Sequence, residues 1–187
     1  MLNYDELGEK CVSLVRLITG LDEQNVLIAD QGISPEYMPK GLYATVKIVS
    51  DQNIGASGKG QQADDEEINV PGVDNAVDIV DITKRQVLLR VSINFYRQGA
   101  RAYASSLQDA SRRYIVSKFL WENKLGWQRT GAVNDLTDLQ NAGYEERAQI
   151  DVYLYAEDII RDIIPAIYHT SIIVEDEKGN KLNEVDV

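Results

Sequence analysis

From Val87 to Phe95 the apolar residues Val87, Leu89, Val91, Ile93 and Phe95 fall at every second position, and Arg90, Ser92, Asn94 and Tyr96 take the alternate places. A period of two puts the first set on one face of an extended strand and the second set on the other. Five large apolar side chains on one face must be covered for the strand to persist. The chain therefore needs helices, or a second sheet, above that face. The strand is expected within Ala76 to Arg97.

A second alternating run, Tyr144 to Tyr155, points Ala148, Ile150, Val152 and Leu154 inward, and Leu42 to Val49 is rich in β-branched and aromatic residues suited to a third strand. Ala166 to Val174 reads as a last strand, after a helical turn over Asp158 to Ile164 stopped by Pro165. Cover comes from two helical patterns. Asn3 can cap a helix from Tyr4 to Ile18 whose inner stripe holds Leu7, Cys11, Leu14, Val15 and Ile18, with Gly20 as the stop. A long helix is predicted from Ala100 to Lys124, with Ala104, Leu107, Ile115 and Phe119 near one stripe and Gly126 ending it. Val26 to Ala29 is a short apolar run, and Pro35 and Pro39 exclude regular structure until Leu42. The expected fold class is α+β: a mostly antiparallel β-sheet with two helices packed on one face, as a single domain over residues 1–187. Asp51 to Glu67, with three glycines and the run Asp64, Asp65, Glu66, Glu67, reads as a mobile loop. Glu175 to Val187 reads as a loose polar tail.

Charge narrows the function. The 187 residues hold 30 acidic and 19 basic side chains, for a net charge of −11, which argues against a surface built to grip phosphates through clustered Lys and Arg. No basic segment followed by an apolar run opens the chain, so no secretory leader is expected. No apolar stretch approaches the roughly 20 residues of a membrane-spanning helix. Cys11 is the only cysteine, which rules out an internal disulfide and fits folding in a reducing cytoplasm.

Reactive groups are sparse. His169 is the only histidine, so one chain cannot build a histidine triad or a multi-histidine metal site. Cys11 falls on the inner stripe of the first helix and reads as a packed small hydrophobe rather than a nucleophile. Gly55 to Gly60, GASGKG, lacks the spacing of a phosphate-binding loop and reads as a linker. Asp64 to Glu67 lacks the alternating ligands of a calcium loop. Among Glu145, Glu146, Asp151, Glu157 and Asp158, the pair Glu145 and Asp151 shares a strand face but lies about 20 Å apart, too far to share a proton. No cofactor or metal is expected. Ten tyrosines stand against two phenylalanines, and the outward set Tyr96, Tyr153 and Tyr155 suits either a plain sheet edge or a surface covered later by a partner.

Four strings carry a resemblance: ITGLDEQNVLIADQG at Ile18 to Gly32, PKGLYATVKI at Pro39 to Ile48, VLLRVSINFYRQGARAYA at Val87 to Ala104, and YEERAQIDVYL at Tyr144 to Leu154. In this order and combination the chain resembles the phage neck and tail terminator proteins. It departs from them in a longer connection over Asp51 to Thr83 and a longer acidic C-terminal tail.

The resemblance implies a structural virion protein, with no catalytic residues, made in the host cytoplasm and located in the tail and neck. It implies a homohexameric ring that caps the tail tube, meets neck or head-completion proteins and, in contractile phages, the sheath, and leaves a lumen through which genomic DNA passes without specific binding. Six copies of a −11 chain carry −66, so ring closure requires apolar contact or locally complementary charge. Lys84, Arg85, Arg112 and Arg113 join the three tyrosines as candidate interface residues. Three other readings stay open: a different neck or head-completion subunit, a small cytoplasmic enzyme using a carboxylate pair, and a general protein-binding module that would remain monomeric without its partner.

Overall fold

The computed structural model describes residues 2–29, 38–67, 77–140, 143–164, 171–175 and 181–186. Helix α1 (Tyr4–Thr19) begins where Asn3 Oδ1 accepts hydrogen bonds from the backbone N–H groups of Asp5 and Glu6, at 3.1 and 3.3 Å. It ends at Gly20, whose positive φ of 74° lets its N–H reach the Arg16 carbonyl at 2.8 Å. A 3-10 turn (Glu23–Asn25) leads to strand β1 (Val26–Ile28), which pairs in parallel with β2 (Tyr43–Glu67). Strand β3 (Val77–Tyr96) follows, then α2 (Ala100–Ser106), a 3-10 turn (Ala110–Arg112) and α3 (Tyr114–Glu122). Next come β4 (Leu125–Thr130), β5 (Asn134–Asp135), β6 (Asp138–Gln140), β7 (Gly143–Glu145) and β8 (Arg147–Ile164). Strands β9 (Ser171–Glu175) and β10 (Lys181–Asp186) close the series.

The main sheet runs β1-β2-β3-β8-β4, with β5 also on β8, and is mostly antiparallel. Alternation fares as expected on β3 and β8. Val87, Leu89, Val91, Ile93 and Phe95 are buried, as are Ala148, Ile150, Val152, Leu154 and Ala156. Leu14, Val15 and Ile18 of α1 meet Val91, Ile93, Val152 and Leu154 around one small apolar cavity, so the helix covers that sheet face. Cys11 lines the same cavity and is 1% exposed, and burial pushes its thiol up to about 12. A thiol held this far from ionisation is inert. Cys11 should stay unlabelled by iodoacetamide in the folded protein and react only under denaturant, as mass spectrometry would read directly.

Several expectations are corrected. The long helix over Ala100 to Lys124 is two helices, because its buried positions belong to different helical phases. Nine residues separate Leu107 from Val116, which on one continuous helix is about half a turn of angular displacement. Both are nonetheless buried, and the 3-10 turn with an extended Arg113 (φ −80°, ψ 128°) makes this possible. A continuous helix would instead return Ile115 to the phase of Ala104, and Ile115 is exposed. The break falls among Ser106, Asp109 and Ser111, residue types whose short side chains bond locally to backbone, as Ser106 Oγ does to the Tyr103 carbonyl at 2.7 Å.

Gly126 does not end α3 either. The helix stops at Glu122, Lys124 takes the left-handed conformation (φ 54°), and Gly126 lies in β4. There a Cβ would come within 3.3 Å of Tyr155 Cβ, so the missing side chain leaves room for the tyrosine. The loop expected over Asp51 to Glu67 is strand, as is the helical turn expected over Asp158 to Ile164; β2 and β8 run on through them with paired backbones that composition does not reveal. The C-terminal stretch read as a loose tail includes β10, antiparallel to β9 with a register shift between Lys181 and Asn183.

The chain divides into two compact units. One comprises Met1–Ser57 with Arg85–Asp158, the other Gly58–Lys84 with Ile159–Val187. The first holds the helices and the buried rows just described. The second contains the far portions of β2, β3 and β8 and the β9–β10 pair. No helix among the described residues is long and apolar enough to cross a membrane.

Candidate interaction surfaces

The sheet face away from α1 belongs to the alternate positions of β2, β3 and β8, and it forms a connected polar and aromatic layer. Tyr43 and Tyr96 stack with centroids 4.6 Å apart and planes within 8°. The Arg97 guanidinium lies 5.6 Å from the Tyr43 ring and that of Arg147 lies 5.1 Å from Tyr96. Burial pushes the Tyr43 hydroxyl up, with Tyr96 and Glu145 adding to the effect against the two arginines. Arg147 Nη2 donates to Asn94 Oδ1 at 3.1 Å, and Gln149 Nε2 donates to Ser92 Oγ and to Asp151 Oδ1, each at 2.9 Å. At the β4 edge Arg129 sits 3.6 Å above the Tyr153 ring. Tyrosine and arginine in rigid arrays of this kind are the residue types that dominate protein interfaces.

A second surface lies on α3. Tyr114, Lys118 and Trp121 recur at helical spacing, and Tyr114 is 81% and Trp121 85% exposed, with Ile115 beside them. Next to Trp121 a groove of about 660 Å³ is lined by Gln86, Leu125, Gly126, Tyr155 and Glu157. Large exposed aromatics on one helix face mark a surface meant for contact.

Chemistry finds less to use. Among the described residues no three His, Cys, Asp or Glu side chains come together as a metal site. Asp158, from the carboxylate set, is buried, and its Oδ2 accepts from Arg85 Nε at 2.8 Å and Nη2 at 2.6 Å. Burial raises the Asp158 carboxyl, but neighbouring positive groups, the hydrogen-bonded Arg85 guanidinium foremost among them, outweigh it and hold the group below the usual carboxylate range. Glu146 is likewise committed, accepting from the N–H groups of Gly99 (2.8 Å) and Arg101 (3.2 Å) at the start of α2, where no local side chain caps the helix. His169 lies outside the described residues.

Comparison with known families decides the matter: the family model described as phage neck terminator protein matches residues 4–178 of 187. The chain belongs to that family. No curated protein matches it. It is a structural protein of the bacteriophage neck, located in the tail and neck of the virion and made to contact other tail and neck proteins.

Within this neck terminator the seven candidate interface residues separate by environment. Tyr96 and Tyr153 belong to the outer sheet layer, and Tyr155 lines the groove beside Trp121. Arg112 is exposed and only 3.9 Å from the equally exposed Asp109. Lys84 is exposed and falls in the other unit. Arg85 and Arg113 have internal partners: Arg85 holds Asp158, and Arg113 Nη1 donates to the Ile18 carbonyl at the end of α1, at 2.9 Å. Nothing in the sequence warned of Trp121 and Tyr114, because on one continuous helix both would share the inward phase of Leu107.

Proposed function

We propose that this neck terminator closes into a ring of six copies on the last ring of the tail tube, ends tube growth, and presents its opposite face to head-completion proteins. In a contractile tail the same ring meets the sheath. The lumen passes genomic DNA without gripping it, in keeping with a net charge of −11 per copy. The observation that carries the reading, beyond the family itself, is the exposed aromatic face of α3. A monomeric chain gains nothing from leaving Tyr114 and Trp121 in water, whereas a ring covers such surfaces repeatedly.

Tube capping has a direct readout in tail length. Particles assembled without this chain should show tails detached from heads, with a broad length distribution extending beyond the wild-type value in negative-stain images. Tails of unchanged length, firmly joined to heads, would end the proposal.

A further inference from the structure

A ring of −11 subunits needs a local reason to close, and charge along this chain is unevenly spread. The 100–124 segment, carrying α2 and α3, has five cations (Arg101, Arg112, Arg113, Lys118, Lys124) against two anions (Asp109, Glu122), a local net of +3. The second unit, Gly58–Lys84 with Ile159–Val187, has 13 acidic and five basic residues, a net of −8. The first unit carries the remaining −3, so nearly three quarters of the excess negative charge belongs to the second. Opposite net charges in separate parts of one chain favour head-to-tail contact between copies and disfavour like-to-like pairing.

Apolar groups accompany both charges. On α3, exposed Lys118 stands beside exposed Trp121 at i, i+3 spacing, about 5–6 Å apart on the helix surface. On β8, Asp162 and Ile164 are both exposed and, two residues apart on a strand, share one face about 7 Å apart. A cation next to an aromatic on one element thus has a counterpart in an anion next to an aliphatic on the other, at nearly the same spacing. The groove between Trp121 and Tyr155 gives the aliphatic side chain a place to enter.

We propose that the acidic second unit of one copy docks on the α3 surface of the next copy in the ring, Asp162 meeting Lys118 and Ile164 entering the groove beside Trp121. The contact is heterologous: each subunit uses one surface to receive and a different one to insert, which is the arrangement that closes rings. It rests on the ring reading above and specifies where neighbouring copies touch.

The test is charge exchange in the full-length chain, read by sedimentation velocity and by negative-stain imaging of tail ends. Lys118→Glu and Asp162→Lys should each weaken self-association about tenfold or more, and raised salt should weaken the wild type in the same direction. Mixing the two variants should restore assembly, because each supplies the surface the other lacks; restoration also proves that both fold. Trp121→Ala should weaken assembly without recovery in either mixture. If both charge variants form rings as the wild type does, this contact is wrong and the ring stands. If the wild type is monomeric in solution and occupies tail ends as single copies, the ring and the contact fall together.

Discussion

Phe95→Ala should destabilise the folded chain by about 3–5 kcal/mol, the range for truncating a fully buried aromatic ring. Phe95 is wholly buried at the end of the alternating row on β3, and its ring lies 6.3 Å from that of Tyr103 on α2. Removing the ring therefore takes away both core volume and the surface against which α2 is held. With total stabilities of about 5–15 kcal/mol for domains of this kind, the loss approaches half. Urea denaturation followed by tryptophan fluorescence measures it. A shift under 1 kcal/mol would mean that the sheet and α2 do not share one core.

The second large effect comes from a charge. Asp158 has a side chain that is 0% exposed and Arg85 one that is 34% exposed, so Asp158→Ala strands a guanidinium half in the protein. Breaking a buried pair from one side costs about 3–5 kcal/mol, and the partial exposure of Arg85 places the expected loss near the lower bound, at about 3 kcal/mol. Acid carries the same information. The folded-state carboxyl lies below its ordinary value, so its contribution is present in full above the unfolded pKa of about 4 and disappears as pH falls through the lower folded value. Wild-type stability should drop across that acidic window. Asp158→Asn, which keeps the shape without the charge, should drop less, and parallel acid titrations of the two proteins would reveal a pair of no consequence by superimposing.

Both predictions start from parity, and parity is also what made much of this fold readable. Val87 to Phe95 and Ala148 to Leu154 announce their inner faces because strand geometry turns each successive side chain over, whatever the rest of the chain does. Asn3 and Gly20 mark the ends of α1 through local hydrogen bonding alone. The same rule, extended two residues before the first row and four beyond the second, reaches Arg85 and Asp158, and a charged residue of each sign at core parity was the available signal for their pairing. It went unused because Arg85 next to Lys84 looks like a solvated basic pair.

The helical cover was harder, since the 100–124 segment is rich in helix formers and its interruption depends on which residues the sheet requires to be buried. Once Leu107 and Val116 must both face inward, a continuous helix is geometrically excluded, and Tyr114 and Trp121 are turned outward to form the α3 surface. Nothing within the segment states that requirement. For the same reason the glycine-rich stretch after Asp51 looked unable to hold structure, yet β2 continues through it on backbone pairing.

Local chemistry in the sequence thus determined the strands that alternate, the cap and stop of α1, the inert Cys11 and the absence of a histidine cluster, since each depends on residues near one another along the chain. Tertiary structure alone decided the division into two units, the split of the second helix, the Arg85–Asp158 pair and the exposed aromatic face, since each depends on residues tens of positions apart competing for the same buried space.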